Sequence, residues 1–295
     1  MAEILKEQEH KEIDPLTGTA TTGHDWDGIR ELNTPLPRWW LWTFYACIVW
    51  AIGYWIVYPA WPSLSSYTAG LFGYSTRAEF NKDLLAEAAA RQTWTDQLKG
   101  LQVDQIAANP DLLNYSMAGG RAIFAVNCQP CHGAGGQGAP GYPVLADDDW
   151  IWGGDLASIE QTIRYGIRST HESTRLSEMP RFGADAMLTP EQIADNADYV
   201  VTLSGGQSDA AAAARGKALF AEQCAACHGE EGKGTLELGA PNLTDHIWLH
   251  GGSREQIIAQ ITAPKQGVMP TWEGKLDDNT VKMLTVYVHS LGGGQ

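Results

Sequence analysis

The sequence Cys-X-X-Cys-His occurs twice, as Cys128-Gln129-Pro130-Cys131-His132 and as Cys224-Ala225-Ala226-Cys227-His228. Two thiols three positions apart can each form a thioether to a porphyrin vinyl group, and the adjoining histidine then reaches the iron from one face. A zinc site would need two further Cys or His ligands at short spacing, and a thioredoxin-like pair would need a preceding strand. Here each motif follows a helical stretch, Gly119–Phe124 or Arg215–Phe220, so covalent haem attachment is the reading that fits. The motifs use four of the five cysteines. Cys47 lies in an apolar run and reads as a small buried hydrophobe.

Some fifty residues after each motif comes a Met-Pro pair, Met179-Pro180 and Met269-Pro270. A thioether can close the second axial face of the iron, and the proline restricts the residue before it to extended conformations. Met179 and Met269 are therefore the expected sixth ligands, beside His132 and His228 as the proximal ones. Rivals for the first half are Met117, Met187, which reads as the start of the last helix, and His171 in a polar, solvated loop. Rivals for the second are Met283, His246 and His250. Each methionine is expected to serve the motif that precedes it. Arg164 and Arg168 are candidates for haem propionates or for a solvated helix face. Trp150 and Trp248 are candidates for packing on haem edges.

The two motifs sit in a repeat. Gly120-X3-Phe124-X3-Cys128 matches Gly216-X3-Phe220-X3-Cys224, Pro143-Val144-Leu145 matches Pro241-Asn242-Leu243, and Trp150 with Gly153-Gly154 matches Trp248 with Gly251-Gly252. Each half ends in a helix, begun at Thr189-Pro190 or at Asp277. The halves, 110–206 and 207–295, read as two tandem α-helical cytochrome c domains. In each, the first helix should meet the last, and the haem plate supplies the core that so short a segment cannot build alone. Ser204–Gly206 and Ala210–Ala214 read as the seam.

Before the repeat stand three other regions. Residues 1–37 are polar and acidic and read as flexible. Residues 38–62 include about twenty uncharged, mostly apolar positions, enough to cross a bilayer as a helix. Trp39, Trp40 and Trp42 crowd one end, and Tyr58 and Trp61 mark the other, as interfacial aromatic belts do. The long acidic leader and the bulky Pro59–Trp61 end argue for an uncleaved anchor rather than a signal peptide. Arg30 and Arg38 precede it and the next base is Arg77, which favours a cytoplasmic N-terminus. Residues 63–109 read as a helical connector, with a capping box at Thr76–Glu79 and an apolar stripe of Phe80, Leu84, Leu85, Trp94, Leu98 and Leu101 ending before Asn109-Pro110.

The formal charge of −15 is uneven. Residues 111–205 hold 12 acids against 5 bases, and 206–295 hold 10 against 7. Such a surface repels nucleic acid and suits a basic protein partner.

The stretch Asp27-Gly28-Ile29-Arg30-Glu31-Leu32-Asn33-Thr34-Pro35-Leu36-Pro37-Arg38-Trp39-Trp40, running into one anchor and then two haem motifs with Met-Pro loops, resembles the di-haem subunit (subunit III) of cbb3-type cytochrome c oxidases. The resemblance covers essentially the whole chain and implies a mainly α protein with one N-terminal transmembrane helix and two tandem cytochrome c domains. It implies two covalent haems c and a bacterial inner-membrane location with periplasmic haem domains. Implied partners are the catalytic haem–copper subunit I, the mono-haem subunit II, a small single-helix subunit and a donor cytochrome c. The chain itself would be a non-catalytic electron carrier within an oxygen-reducing, proton-translocating complex. Two other classes are a di-haem electron acceptor of a periplasmic dehydrogenase and a di-haem peroxidase. The two Met-Pro loops speak against the open haem face a peroxidase needs.

Overall fold

A computed structural model describes residues 12–292, so part of the acidic leader, residues 1–11, lies outside the described residues. The chain divides into two compact units, up to Ala88 and from Ala89 onward.

In the first unit the leader is not wholly irregular. Strands β1 (Thr21–Trp26) and β2 (Ile29–Leu32) pair antiparallel across Asp27-Gly28. Both turn residues have positive φ, 52° and 90°, the conformation that an Asp-Gly hairpin turn takes readily. The polar composition masked this local signal. Helix α1 (Arg38–Val57) has no residue buried by the rest of the chain and is long and apolar enough to cross a membrane, the only such helix among the described residues. Cys47 is therefore exposed on α1 rather than buried in a protein core. At the end of α1 the chain folds back. Leu71 and Phe72 donate their N–H groups to the carbonyls of Ile56 and Val57, satisfying acceptors that a helix end leaves open. Tyr58 meets Phe72 and Tyr74 edge-on there, and Trp55 meets Trp61.

Helix α2 (Thr76–Leu98) has its cap one residue earlier than the sequence suggested. Ser75, not Thr76, accepts from the Ala78 N–H. The connector also breaks at Lys99-Gly100, where Gly100 has φ +76°, and resumes as α3 (Val103–Ala108). Asn109 then caps α4 (Pro110–Asn127) with Pro110 in its first turn. The apolar stripe of the connector splits. Leu98 and Ile106 are fully buried with Leu112, Met283 and Val286, and Trp94 stacks on Tyr115, whereas Phe80, Leu84 and Leu85 are exposed.

The second unit holds α4, α5 (Gln129–His132), α6 (Leu156–Tyr165), α7 (Pro190–Leu203), α8 (Ala210–Gln223), α9 (Ala225–His228), α10 (Arg254–Thr262) and α11 (Asp278–His289). Its packing does not follow the expected pairing within each half. The first helix of the repeat, α4, packs against the last helix of the second half, α11, which also packs on α6. The first helix of the second half, α8, packs against the last helix of the first half, α7, which also packs on α10. The supposed seam explains this. A short loop joins α7 to α8, and helices joined so closely fold back on one another. Ala212 and Ala213, expected in a linker, are buried in α8.

Glycine permits both crossings. A Cβ on Gly120 would collide with the Met283 carbonyl oxygen and the Tyr287 side chain, and one on Gly216 with the Asp195 carbonyl oxygen. Phe124 and Phe220, one turn further on, are each 1 % exposed and meet Tyr287 and Tyr199. Ion pairs add to the second crossing. Asp195 and Asp198 on α7 are buried and accept two bonds each, from Arg215 on α8 at 2.6 and 2.7 Å and from Arg254 on α10 at 2.8 Å.

The chain crosses between the two cores twice, at 166–178 and 263–268. Ile167 and Met269 exchange two backbone hydrogen bonds of 3.0 Å, and Gln266 donates its side-chain N–H to the Met179 carbonyl at 3.0 Å. Arg168, with φ +50°, donates to the Gly267 carbonyl (2.8 Å) and the Ser177 carbonyl (2.9 Å) and so ties the two crossovers together.

Because backbone meets backbone at both crossings, Gly120→Ala and Gly216→Ala should each destabilise the unit by about 1–3 kcal/mol. Thermal denaturation followed by far-UV circular dichroism should show the melting temperature fall by roughly 2–4 °C per kcal/mol. An unchanged melting temperature would mean that the helices do not cross there.

Candidate functional site

Each Cys-X-X-Cys-His motif forms one helical turn immediately after a long helix. Cys128 caps α5 and Cys224 caps α9, and their carbonyls accept from Cys131 and His132, and from Cys227 and His228, at 2.9–3.1 Å. A single turn places residues three apart on one face, so both thiols of a pair point the same way. The outer thiols, Cys131 and Cys227, are exposed, and Cys128 and Cys224 are partly buried. Burial, with Cys131 close by, pushes the Cys128 thiol up to about 11. Burial also raises Cys224, opposed by a 3.3 Å bond from the Asn196 side chain on α7.

The histidines are held alike. His132 Nδ1 lies 3.1 Å from the Pro143 carbonyl oxygen and His228 Nδ1 lies 3.0 Å from that of Pro241. A carbonyl can only accept, so the proton belongs on Nδ1 and the Nε2 lone pair is left for a metal. Burial lowers both imidazoles below their usual range, which keeps them neutral as ligation requires. Pro143-Val144-Leu145 and Pro241-Asn242-Leu243, repeated in sequence, are thus the segments that orient the two rings.

The methionines are exchanged relative to expectation. Met269 packs in the core with Cys128, Phe124, Ile163, Trp150 and Tyr287. Met179 packs in the core with Cys224, Phe220, Phe182, Trp248 and Tyr199. Each Met-Pro loop leads into the helix that crosses the other half's motif helix, so the methionine follows that helix. The linear repeat could not show this, because both halves carry the same motif order.

The rivals separate by position. Met283 is buried mid-helix in α11, and Met117 on α4 packs both beside it and in the Cys128 core with Met269, so position sets Met283 but not Met117 apart. Met187 precedes α7 and is 53 % exposed. His171 is not simply solvated: its Nε2 lies 3.0 Å from a Glu273 carboxylate oxygen, its Nδ1 accepts from the Ser173 N–H, and its ring packs on Tyr165. His246 is exposed, and His250 is lowered by burial and by Lys265. Arg164 is engaged by Glu160 and Asp278, and Arg168 by backbone carbonyls. Among the described residues no group of three or more His, Cys, Asp or Glu converges on a bare metal ion. The donor set is instead, twice over, two thiols on one helical face, an oriented imidazole and a thioether in the same core, which fits a covalently held haem.

The repeat brings matching turns of both halves together. Asp147 accepts from the Asp149 N–H, and Asp245 from the Ile247 N–H. Asp148, Asp149 and Trp150 face Lys233–Leu236 and Ala240–Asn242 across a cleft of about 170 Å³. Burial, then Asp245 and Asp147, pushes Asp149 up to about 6. A carboxyl raised on folding costs stability as pH rises from its unfolded value of 3.8 toward 6, and the full cost persists above. Asp149→Asn should therefore raise the melting temperature at pH 7–8, and the gain should shrink as pH falls toward 4. Thermal melts across that range check it, and a gain independent of pH would contradict the raised carboxyl.

The family model described as the N-terminal domain of cytochrome oxidase-cbb3, FixP, matches residues 18–65. That described as cytochrome c oxidase, cbb3-type, subunit III, matches 116–200 and 211–288. The chain is 53 % identical over 291 residues to the cbb3-type cytochrome c oxidase subunit FixP of Bradyrhizobium sp. (strain ORS 278), covering 97 % of this chain and 99 % of that one. It is 52 % identical to subunit CcoP of Cereibacter sphaeroides (93 % and 95 % covered) and 49 % identical to subunit CcoP of Azospirillum brasilense (97 % and 99 %).

Proposed function

This chain belongs to the subunit III family of cbb3-type cytochrome c oxidases, and from that premise we propose that it carries electrons through two covalently bound haems c whose axial ligands are shared between the sequence halves. It is a membrane-anchored electron-transfer subunit of the oxidase complex and works with other oxidase subunits. In this reading Cys128 and Cys131 hold one haem, with His132 and Met269 on its iron. Cys224 and Cys227 hold the other, with His228 and Met179. Bound haem supplies reversible one-electron chemistry at iron. The polypeptide fixes the imidazoles through the Pro143 and Pro241 carbonyls, packs the thioethers behind α11 and α7, and buries both sites against Phe124 and Phe220. His/Met ligation favours a high reduction potential, which suits the oxidising end of a respiratory chain.

The anchor α1 would leave the N-terminus in the cytoplasm and the haem cores in the periplasm, consistent with Arg30 and Arg38 before it. Electrons would arrive from a donor cytochrome c and leave for the mono-haem subunit II and then the haem–copper subunit I, so the chain itself would not reduce oxygen. The dehydrogenase alternative has no support in the family membership.

The observation that carries this reading is the core composition: Met269 with Cys128, and Met179 with Cys224. The test uses single-haem backgrounds. In Cys224→Ala/Cys227→Ala chains, which keep only the His132 haem, Met269→His should abolish the weak near-infrared Fe–S band and Met179→His should leave it. In Cys128→Ala/Cys131→Ala chains the two outcomes should reverse. The opposite pattern would restore ligation within each half.

Charge on the cleft side bears on the donor. Electron transfer from a basic cytochrome c should slow as salt rises, because exposed charges are screened beyond about 8 Å at physiological ionic strength. Asp147→Asn/Asp148→Asn/Asp149→Asn should flatten that slope in stopped-flow reduction. Rates independent of salt in both chains would exclude electrostatic docking here.

A further inference from the structure

A two-stranded hairpin on its own is marginally stable at best in water, because no third strand or helix covers a face of it. The hairpin of β1 and β2 is in that position. All four residues of β2 are exposed, and in β1 only Thr21 is buried and Thr22 partly so. Its two faces also differ. Trp26 and Ile29 are direct cross-strand partners beside the Asp27-Gly28 turn, so their side chains share one face. They are 59 % and 72 % exposed, and His24, two residues back, lies against Trp26 with ring centroids 4.3 Å apart. The next pair, Asp25 opposite Arg30, falls on the other face. There Arg30 pairs with Asp25 at 3.3 Å and with Glu12. Arg30 is the one Lys or Arg between residues 12 and 32, against five acids. Its charge is met, and Asp14, Asp27 and Glu31 leave the hairpin acidic. The result is an apolar tip in an acidic surround.

The chain fixes where this tip can go. The ladder runs one residue past β2, where the Asn33 N–H donates to the Ala20 carbonyl at 2.7 Å. Thr34–Pro37 then lead into α1 at Arg38. So short a link spans at most about 18 Å, and its two prolines stiffen it. The hairpin is therefore held at the membrane surface where α1 enters, on the cytoplasmic side in the topology proposed above. Two kinds of surface can meet it there. The lipid of that face is anionic and attracts basic segments, so it repels an acidic hairpin. Loops of membrane-embedded proteins on that face carry an excess of Lys and Arg, so they complement it. The anchor beside it also lacks cover from the rest of the chain, with no buried residue along its length.

We propose that the Trp26–Ile29 tip docks on a Lys/Arg-rich cytoplasmic loop of a membrane-embedded subunit of the oxidase. Trp26 and Ile29 seat in an apolar pocket of that partner, and Asp27 and Glu31 face its bases. The inference rests on the cytoplasmic N-terminus and the oxidase assembly stated above. A large aromatic at the centre of a contact, with charge around it, is the usual distribution of binding energy and steering at an interface. Docking at the tip also supplies the cover that the hairpin lacks, and it holds α1 against the partner from the side opposite the haem cores.

The experiment uses the full-length, tagged chain in its native membranes. A photo-crosslinking phenylalanine analogue, p-benzoylphenylalanine, replaces Trp26, and adducts are mapped by mass spectrometry. The expected adduct is with a Lys/Arg-rich loop of a membrane-embedded oxidase subunit. Adducts only to lipid, only to a second copy of this chain, or none at all would overturn the proposal. Separately, the chain is purified in mild detergent and the acid–acetone-extractable haem is measured. The chain's own haems are covalent in the reading above and stay behind, so extractable haem reports a haem-bearing partner. Trp26→Ala/Ile29→Ala should lower extractable haem per chain about tenfold on dilution, with covalent haem unchanged. Trp26→Phe, which keeps an apolar ring, should stay near the parent. Asp27→Asn/Glu31→Gln, which retains an Asn-Gly turn, should lower it by less than the tip variant. Parent-like extractable haem in the tip variant would also overturn the proposal. Where the tip variant is degraded, the crosslink decides. An error in the topology has its own signature, an N-terminal tag cleaved by protease added to intact spheroplasts.

Discussion

Two close helix crossings organise the second unit, α4 on α11 and α7 on α8. At each, a glycine lets one backbone rest on another, and a phenylalanine one turn away fills the space beside it. Each crossing also fixes chemistry. The glycine helix ends in the attachment motif, and the partner helix follows the Met-Pro loop. Wherever the partner helix docks, its methionine goes with it. The choice of helix partner therefore also decides which methionine enters which core.

That coupling makes the two cores interdependent. Neither Met-Pro methionine shares a core with the thiols of its own half, and the crossovers at 166–178 and 263–268 are pinned to each other by Arg168, Gln266 and the Ile167–Met269 bridge. A disturbance at one crossover reaches both sites. The two cores still differ in their polar groups. The Cys224 core is bounded by α7 with its buried Asp195 and Asp198, each matched by an arginine, and by Asn196 against Cys224. Beside the Cys128 core, by contrast, the Arg175 Nε and the Trp150 indole N–H have no acceptor in the polypeptide.

The anchor unit follows other physics. Helix α1 presents apolar side chains all round, so its burial must come from lipid or from other subunits. Its last carbonyls are met by the returning chain at Leu71 and Phe72, where a ring cluster of Tyr58, Phe72 and Tyr74 forms. In an interfacial setting this satisfies polar backbone that hydrocarbon would leave unpaired.

Much of this was local enough to be legible in the sequence. The attachment motifs, the Met-Pro loops, the anchor with its aromatic ends, and the helix starts at Thr189 and Asp277 depend on a few neighbouring residues, and the structure places each as an isolated stretch would suggest. The Asp27-Gly28 hairpin was equally local but hidden by polar composition, and the cap expected at Thr76 fell to its neighbour Ser75, of similar chemistry. What the sequence by itself could not determine was which of two near-identical helices each motif helix would meet. Both halves offer the same glycine, phenylalanine and tyrosine surfaces, so pattern cannot choose between them. Tertiary structure decides it through chain geometry. The short turn from α7 into α8 folds those helices together, leaves α11 to close on α4, and so sends Met179 to the Cys224 core and Met269 to the Cys128 core.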